Sequence, residues 1–212
     1  MDILNDIAAR LEAGEDEEVG ALTEKALAEK LPPKEILDRG LIAGMNAVGE
    51  KFRAHEIFLP DVLMAAKAMY AGLDRLKPHL EREGVPSAGK VVLGTVQGDL
   101  HDIGKNLVAI MLRGAGYEVI DLGHDVPPAR FIQAAKDTGA KVIGMSTLLT
   151  TTMPVMRKVV EMLRAEGLAG DVRTIIGGAP VSADYAREIG ADAYSYDGAH
   201  AVERVKSLMA EV

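Results

Sequence analysis

Residues 1–85 place apolar side chains three or four positions apart, which is the spacing of an α-helix. Pro33 and Pro60 open two of these segments, and Pro78 marks the end of the last one. A weaker amphipathic segment at 2–13 precedes them, so four helices joined by short turns predict a four-helix bundle. The apolar series are Leu22, Leu27 and Leu31; Ile36, Leu37, Leu41, Met45, Val48 and Phe52; and Leu59, Val62, Leu63, Ala66, Met69, Leu73 and Leu76.

After residue 89 the rhythm changes to short β-branched runs that alternate with amphipathic helices. This alternation predicts a doubly wound (Rossmann or flavodoxin-like) parallel sheet of five strands. The stretch 83–89 is the predicted linker, so the α/β chain divides into a helical cap domain at 1–85 and a sheet domain at 90–212. Strands are predicted at 90–96, 117–121, 141–146, 172–176 and 193–195, and helices at 104–114, 127–138, 153–166, 182–189 and from 199 onward.

The 212 residues carry 24 Lys and Arg against 32 Asp and Glu, a net charge of −8. Nucleic acids and anionic membranes require a basic face, so neither is expected as a partner. No apolar run has the length of a membrane span, and the acidic N-terminus is unlike a signal peptide, which predicts a cytoplasmic protein. The absence of cysteine excludes disulfides, thiolate metal sites and cysteine nucleophiles.

Ligands of open parallel sheets bind at the carboxyl ends of the strands. The loop after the first strand fits neither a phosphate loop nor a dinucleotide fingerprint, because its glycine spacing matches neither pattern. What remains is Asp99-x-His101-x-x-Gly104. A carboxylate can accept a hydrogen bond from one ring nitrogen of a histidine and leave the other nitrogen free to bind a metal. Asp99 and Asp102 are both available for this role, and the spacing does not choose between them.

Three motifs follow one another along the chain in the pattern D-x-H-x-x-G, S-x-L and G-G. They are Asp99-Leu-His101-Asp-Ile-Gly104, Ser146-Thr-Leu148 and Gly177-Gly178. This pattern resembles the cobalamin-binding domain of corrinoid-dependent methyltransferases and mutases. The helical half is similar to the cap domain of methyltransferase corrinoid proteins and of methionine synthase, through the stretches 44–52 and 58–60. The resemblance covers nearly the whole chain.

The resemblance implies a role for each residue that matches the pattern. His101 is implied as the lower axial ligand of cobalt, and Asp99 as the partner of its far ring nitrogen. In methionine synthase a serine completes this relay; Thr152 stands at the matching position and adds a methyl group. The other implied cofactor-binding residues are Gly104 of the motif; Ser146, Leu148 and Thr150 along the channel for the nucleotide tail; Gly94, Gly177 and Gly178, which leave room for that tail; and Phe52 and Leu59, which cover the upper face.

Several of these residues have a plainer explanation when each is taken alone. Phe52 and Leu59 at helical spacing suit the core of any bundle, and Gly177-Gly178 after a strand suits a turn. Hydroxyls at Ser146 and at 150–152 could cap the next helix. The cofactor-binding interpretation depends on their occurring together with the Asp99-His101-Gly104 motif.

The implied function is that of a corrinoid methyl carrier, a subunit of a methyltransferase system that is not catalytic alone. It accepts a methyl group on cob(I)alamin from a substrate-specific methyltransferase. It passes the group from methylcob(III)alamin to a second methyltransferase with a thiol or tetrahydrofolate-type acceptor. The implied cofactor is cobalamin or a related corrinoid with its cobalt, and a reductive activase is a further implied partner. Methylamines, methanol, methoxylated aromatics and betaines all remain open as methyl donors.

Three rival interpretations remain. A cobalamin-dependent sensor or regulatory module shares both domains but has no turnover, and methyl transfer to an acceptor separates it from a carrier. A cobalamin subunit of a carbon-skeleton mutase is disfavoured by the helical cap. A flavodoxin-like module unrelated to corrinoids would make the Asp99-His101-Gly104 motif a coincidence.

Overall fold

The computed structural model describes residues 2–84 and 87–212. The chain divides into two compact units, one formed by residues 1–86 with the short segment 114–116, the other by 87–113 and 117–212. The linker predicted at 83–89 lies partly outside the described residues, which leave out 85 and 86. Within the described ranges, no helix is both long and apolar enough to cross a membrane.

The helical unit contains four successive helical segments, as the apolar spacing predicts. Asp2 caps the first helix by accepting a hydrogen bond from the Leu4 amide at 3.3 Å. The third segment begins at a proline, where the missing N–H costs nothing, and runs through a π-helical stretch. The elements are α1 (Ile3–Glu12), α2 (Asp16–Ala28), α3 (Pro33–Glu35), the π-helical stretch (Ile36–Ile42), α4 (Ala43–Arg53) and α5 (Leu59–Glu83).

The end predicted for α5 at Pro78 is wrong, because the helix continues through this proline to Glu83. A proline removes one hydrogen bond from the helical ladder, while the turns on either side keep theirs. Pro78 therefore weakens the helix locally, but the helix does not end there.

The buried face of α2 also differs from the predicted one. Val19, Gly20, Thr23 and Ala26 are buried, whereas the predicted face at Leu22, Leu27 and Leu31 is only half-buried. The close approach of α2 and α5 is at Gly72 of α5, where a Cβ would lie 3.2 Å from the Val19 side chain. Thr23 can be buried because its hydroxyl donates to the Val19 carbonyl at 2.7 Å.

The second unit is a five-stranded parallel sheet in the order β2-β1-β3-β4-β5, which confirms the α/β prediction. Apolar strand residues are buried between the sheet and its helices, around a core that is aliphatic apart from Phe131. The elements are β1 (Lys90–Thr95), α6 (Ile103–Gly114), β2 (Glu118–Asp121), α7 (Pro128–Thr138), β3 (Val142–Ser146), α8 (Met153–Ala165), β4 (Arg173–Gly177), α9 (Ala183–Ile189), β5 (Ala193–Ser195) and α10 (Gly198–Met209).

The strand register places the carboxyl ends of four strands side by side. Thr95 pairs with Ser146, Ser146 with Gly177, and Gly177 with Ser195. The loops that follow these residues therefore leave the sheet along one edge. Two of the three predicted motifs, S-x-L and G-G, begin in this row, and the third begins four residues after Thr95.

An ion pair between a buried lysine and a partly exposed aspartate fixes the first turn of α6 to the end of β2. The Nζ atom of Lys105 lies 2.6 Å from both carboxylate oxygens of Asp121 and 2.6 Å from the Asn106 side-chain oxygen. The Lys105 side chain is only 2% exposed. A buried cation needs such partners, because taking a charge out of water costs several kcal/mol.

We predict that Asp121→Ala lowers the free energy of unfolding by about 3 kcal/mol, because the variant leaves the Lys105 charge buried without its partner. Urea unfolding of the corrinoid-free protein measures the loss. Glu188→Ala is the matched control, since it removes one carboxylate from the solvent-exposed pair with Arg157 and should leave stability nearly unchanged. Equal losses in the two variants would show that burial of the Lys105 pair is unimportant.

Candidate functional site

The centre of the candidate site is the carboxylate of Asp99, which lies in the loop after β1 and is fully buried. The backbone amide and the backbone carbonyl of Asp99 are both hydrogen-bonded. Its amide donates to the Val96 carbonyl at 3.1 Å, and its carbonyl accepts from the Asp125 amide at 3.0 Å. The Asp125 carboxylate in turn accepts from the Gly98 amide at 2.7 Å. The loop at 122–127 therefore fixes where Asp99 points.

The first carboxylate oxygen of Asp99 binds His101 twice. Oδ1 accepts from the His101 backbone amide at 3.0 Å and from the ring Nδ1 at 2.7 Å. Asp102 is not the partner, because its carboxylate accepts from the Asn106 side-chain amide at 3.0 Å. The structure thereby decides between the two carboxylates that the sequence left open. A third contact holds the loop, since the buried Thr95 hydroxyl donates to the His101 carbonyl at 2.9 Å.

The second carboxylate oxygen of Asp99 reaches across to the loop after β3. Oδ2 accepts from the Leu148 amide at 2.6 Å and from the Thr147 hydroxyl at 2.8 Å, with the Thr152 hydroxyl farther away at 3.5 Å. Burial alone raises the pKa of the Asp99 carboxyl and is the largest single influence on it. The hydrogen bonds from Leu148, His101 and Thr147 together outweigh burial and hold this pKa well below its usual range. Asp99 is therefore a buried carboxylate anion.

Thr147 is a site residue that the sequence analysis missed. The S-x-L motif specifies the residues on either side of it and leaves position 147 unspecified, so the resemblance carries no signal there. The resemblance points instead to Thr152, whose hydroxyl lies 2.5 Å from that of Thr147. The one available signal is the run of hydroxyl residues at 146–152, which follows β3 at the edge where ligands bind.

His101 keeps one ring nitrogen free. A carboxylate anion can only accept, so Nδ1 carries the hydrogen, and in the neutral ring Nε2 carries the lone pair that could bind a metal. The His101 side chain is 53% exposed. Large hydrophobic side chains are exposed at this edge of the sheet, which is typical of a binding surface: Leu100 and Ile103 next to His101 in the chain, Leu148 and Leu149 after β3, and Tyr196 after β5.

These residues fit a metal that arrives within a flat apolar macrocycle. The second nitrogen of His101 can supply one ligand, and the exposed hydrophobic side chains supply an apolar surface along the same edge of the sheet. Space is also available, because a Cβ built at Gly104 would meet no atom within 4 Å. A corrinoid would have this character, since its ring itself supplies the other nitrogen ligands of cobalt.

The structure gives a reason for glycine at 94, 177 and 178 that needs no ligand. A Cβ at Gly94 would lie 2.9 Å from the Phe131 ring, and one at Gly177 would lie 2.9 Å from the Ser195 carbonyl oxygen. At Gly178, where φ is +127°, a Cβ would lie 1.8 Å from the Thr147 carbonyl oxygen. The predicted role of these glycines in admitting a nucleotide tail stays a prediction.

The remaining predicted residues fall into two groups. Ser146 is half-buried at the end of β3, and Leu148 and Thr150 are exposed in the loop after it. Phe52 and Leu59 are half-buried in the helical unit, near the end of α4 and at the start of α5. The structure thus brings Asp99, His101 and Thr152 together, and the cofactor contacts predicted for these five residues stay predictions.

Both units match families of known proteins. Residues 89–206 match a family described as a B12 binding domain, and residues 3–77 match a second family with the same description. The dimethylamine corrinoid protein 1 of Methanosarcina acetivorans is 46% identical over 211 residues, which cover 99% of this chain and 98% of that protein. The trimethylamine corrinoid protein 1 of Methanosarcina mazei is 43% identical over 197 residues, covering 92% and 91%.

Solved structures agree with these matches. The methanol:cobalamin methyltransferase complex of Methanosarcina barkeri contains a chain with a TM-score of 0.88 and 31% identity, covering 100% of this chain and 81% of that one. A cobalamin-binding protein of Desulfitobacterium hafniense has a TM-score of 0.80 and 35% identity, covering 97% and 98%. The resemblance seen in the sequence is therefore confirmed, and the chain belongs to the family of B12-binding corrinoid proteins of methyltransferase systems.

Proposed function

We propose that this protein is a corrinoid methyl carrier that passes a methyl group between two methyltransferases. The observation that carries the proposal is the pair formed by Asp99 and His101, which fixes one ring nitrogen and leaves the other free in a B12-binding chain. The corrinoid, when bound, supplies the cobalt chemistry: it takes up a methyl group in its reduced state and releases it to an acceptor.

The residues of the sheet unit hold and tune that cofactor. His101 provides the lower ligand through Nε2, and Asp99 orients the ring and strengthens its donor nitrogen through Nδ1. The exposed hydrophobic side chains around His101 bind the ring system, and Gly104 leaves room for its approach. Ser146, Leu148, Thr150 and the glycines at 94, 177 and 178 accommodate the nucleotide tail.

The two-domain organisation belongs to the same proposal. The helical cap at 1–85 covers the upper, methyl-bearing face with Phe52 and Leu59, because a reactive cobalt–methyl bond needs a dry apolar cover. The sheet domain at 90–212 binds the lower face and the tail. Each methyltransferase must then gain access to the upper face in turn.

Three partners are proposed: a substrate-specific methyltransferase, a second methyltransferase with a thiol or tetrahydrofolate-type acceptor, and a reductive activase. The first is supported by the solved complex, which pairs a similar chain with a methanol methyltransferase. The dimethylamine and trimethylamine corrinoid proteins, at 46% and 43% identity over nearly the whole chain, support a methylated amine as the donor.

A spectrum tests the proposed ligand. Protein incubated with hydroxocobalamin and desalted is expected to retain a corrinoid, and His101→Ala is expected to change its visible spectrum by removing the lower ligand. Asp99→Asn should leave the corrinoid bound but shift the balance of cobalt ligation. His79→Ala, which removes a histidine from α5, is the control and should leave the spectrum unchanged. An unaltered spectrum in His101→Ala would exclude His101 as the ligand.

Methyl transfer tests the carrier function itself. Corrinoid-loaded, reduced protein should take an isotope-labelled methyl group from a methylamine methyltransferase and deliver it to a thiol when an acceptor methyltransferase is present. A His-ligated protein that never becomes labelled with methylamine, methanol, methoxyaromatic or betaine methyltransferases would instead be a sensor or regulatory module.

The glycines provide a paired prediction. Gly104→Ala should leave the corrinoid-free protein intact, or more stable by up to about 1 kcal/mol, because its site is open and helical. The Gly104→Ala variant should weaken corrinoid binding about tenfold by crowding the approaching ring.

Gly178→Ala should lower the free energy of unfolding of the corrinoid-free protein by about 1–3 kcal/mol, owing to the positive φ at this position and the contact with the Thr147 carbonyl. Thermal unfolding and corrinoid titration measure the two effects, and undiminished binding in Gly104→Ala would contradict the proposed position of the ring.

A further inference from the structure

Two buried threonine hydroxyls lie against the second oxygen of Asp99, and they are closer to each other than either is to the carboxylate. The Oγ atoms of Thr147 and Thr152 are 2.5 Å apart, and both side chains are almost completely buried. Thr147 Oγ lies 2.8 Å from Asp99 Oδ2. Thr152 Oγ lies 3.5 Å from the same oxygen but 2.9 Å from the Leu149 carbonyl.

The number of hydrogens does not match the number of contacts. Each hydroxyl carries one hydrogen, so the pair has two hydrogens to donate. Three short contacts each need a hydroxyl hydrogen: the contact from Thr147 to Asp99, the contact from Thr152 to the Leu149 carbonyl, and the contact between the two hydroxyls. Two oxygens 2.5 Å apart without a hydrogen between them would repel each other, so the contact between the hydroxyls takes one hydrogen in every arrangement.

Two arrangements satisfy this condition with the shorter contacts, because the alternative bonds, from Thr147 to the Leu149 carbonyl and from Thr152 to Asp99, are longer at 3.3 and 3.5 Å. In the first, Thr147 donates to Asp99 and Thr152 donates to Thr147. In the second, Thr152 donates to the Leu149 carbonyl and Thr147 donates to Thr152. Asp99 accepts four hydrogen bonds in the first arrangement and three in the second, since its bonds from Leu148 and from the amide and ring of His101 are common to both.

The surroundings hold the two hydroxyls in place, so that exchange needs no movement of heavy atoms. Thr152 is β-branched, which restricts its side-chain rotation. Its methyl group faces Gly98, where a Cβ would lie only 3.1 Å away. The Thr147 carbonyl is packed still more closely against Gly178, where a Cβ would lie 1.8 Å from its oxygen. What can change is the direction in which each hydroxyl hydrogen points.

We propose that Thr147 and Thr152 form a two-position hydroxyl switch, in which Thr147 is the positioning residue that acts on His101 through Asp99. In the first arrangement two donors share the negative charge on Oδ2, so Asp99 binds the His101 Nδ1 hydrogen less strongly. In the second arrangement that bond strengthens, and Nε2 becomes a stronger electron donor. The proposal rests on the proposed role of His101 as the lower ligand, but its hydrogen-bond basis is independent of the corrinoid.

The test uses two variants that fix the switch in opposite positions. Thr152→Val removes the competing hydroxyl, so Thr147 donates to Asp99 in every molecule. Thr147→Val removes the donor to Asp99, and Thr152 then donates to the Leu149 carbonyl. The His101 Nδ1 hydrogen, followed by NMR in the corrinoid-free protein, should therefore shift upfield in Thr152→Val and downfield in Thr147→Val. Thr147→Ser keeps the hydroxyl and should restore the native position.

A loss of packing alone would not produce shifts of opposite sign. Shifts in the same direction, or no shift in Thr147→Val, would overturn the proposal. If Thr147→Val fails to fold, Thr152→Val alone still tests the proposal, because a downfield shift or no shift of the His101 Nδ1 hydrogen in that variant would contradict the proposal.

The corrinoid-loaded proteins give a second readout. In the reduced, paramagnetic cobalt state, the fraction of protein with nitrogen coupling in the electron paramagnetic resonance spectrum should rise in Thr147→Val and fall in Thr152→Val. If His101→Ala leaves the corrinoid spectrum unchanged, the proposed ligand fails, whereas the NMR shifts still report on the switch.

Discussion

The buried negative charge of Asp99 is the constraint on which the arrangement of the site depends. An ion taken out of water is tolerated only when hydrogen bonds replace its hydration, and each bond to a charged group contributes about 1.5–3 kcal/mol. The donors come from two loops that are distant in sequence, at 101 and at 147–148. The carboxylate therefore joins the loop after β1 to the loop after β3. The orientation of the His101 ring follows from that junction.

Backbone proximity makes the junction possible. Gly178 lets the loop after β4 lie directly against the Thr147 carbonyl, and the positive φ of Gly98 turns the chain immediately before Asp99. A side chain at either position would push the hydroxyl-bearing loop away from the carboxylate. Glycines that the family pattern associates with a cofactor tail therefore also have a role in the protein alone. Because a glycine can serve either the packing of the protein or the space for a cofactor tail, the glycine pattern identifies the family but does not show which of these contacts each glycine makes.

The sequence predicts the fold well because each local signal agrees with the global one. Every strand and helix of the sheet unit follows from alternating apolar runs, and β1 to β5 fall within one or two residues of expectation. The failures lie where packing overrides a local rule: at Pro78, inside α5, and on α2, whose small residues are buried in place of its leucines. The site was predictable as far as Asp99 and His101. Thr147 was not, because its role comes from the distance between two loops rather than from a motif.

Under the proposed function, a carrier that serves two methyltransferases must hold its cofactor firmly and still let the strength of the lower ligand vary. Moving the ligand loop would cost the hydrogen bonds that bury Asp99, so large rearrangement there is unfavourable. Changing the direction of the hydroxyl hydrogens costs less, because every heavy atom keeps its neighbours and only the bond from Thr147 to the carboxylate is exchanged for the weaker one from Thr152 to the Leu149 carbonyl. In the proposed switch the two requirements are separate: the backbone and the Asp99 carboxylate provide rigidity, and the threonine hydroxyls beside them provide the adjustment.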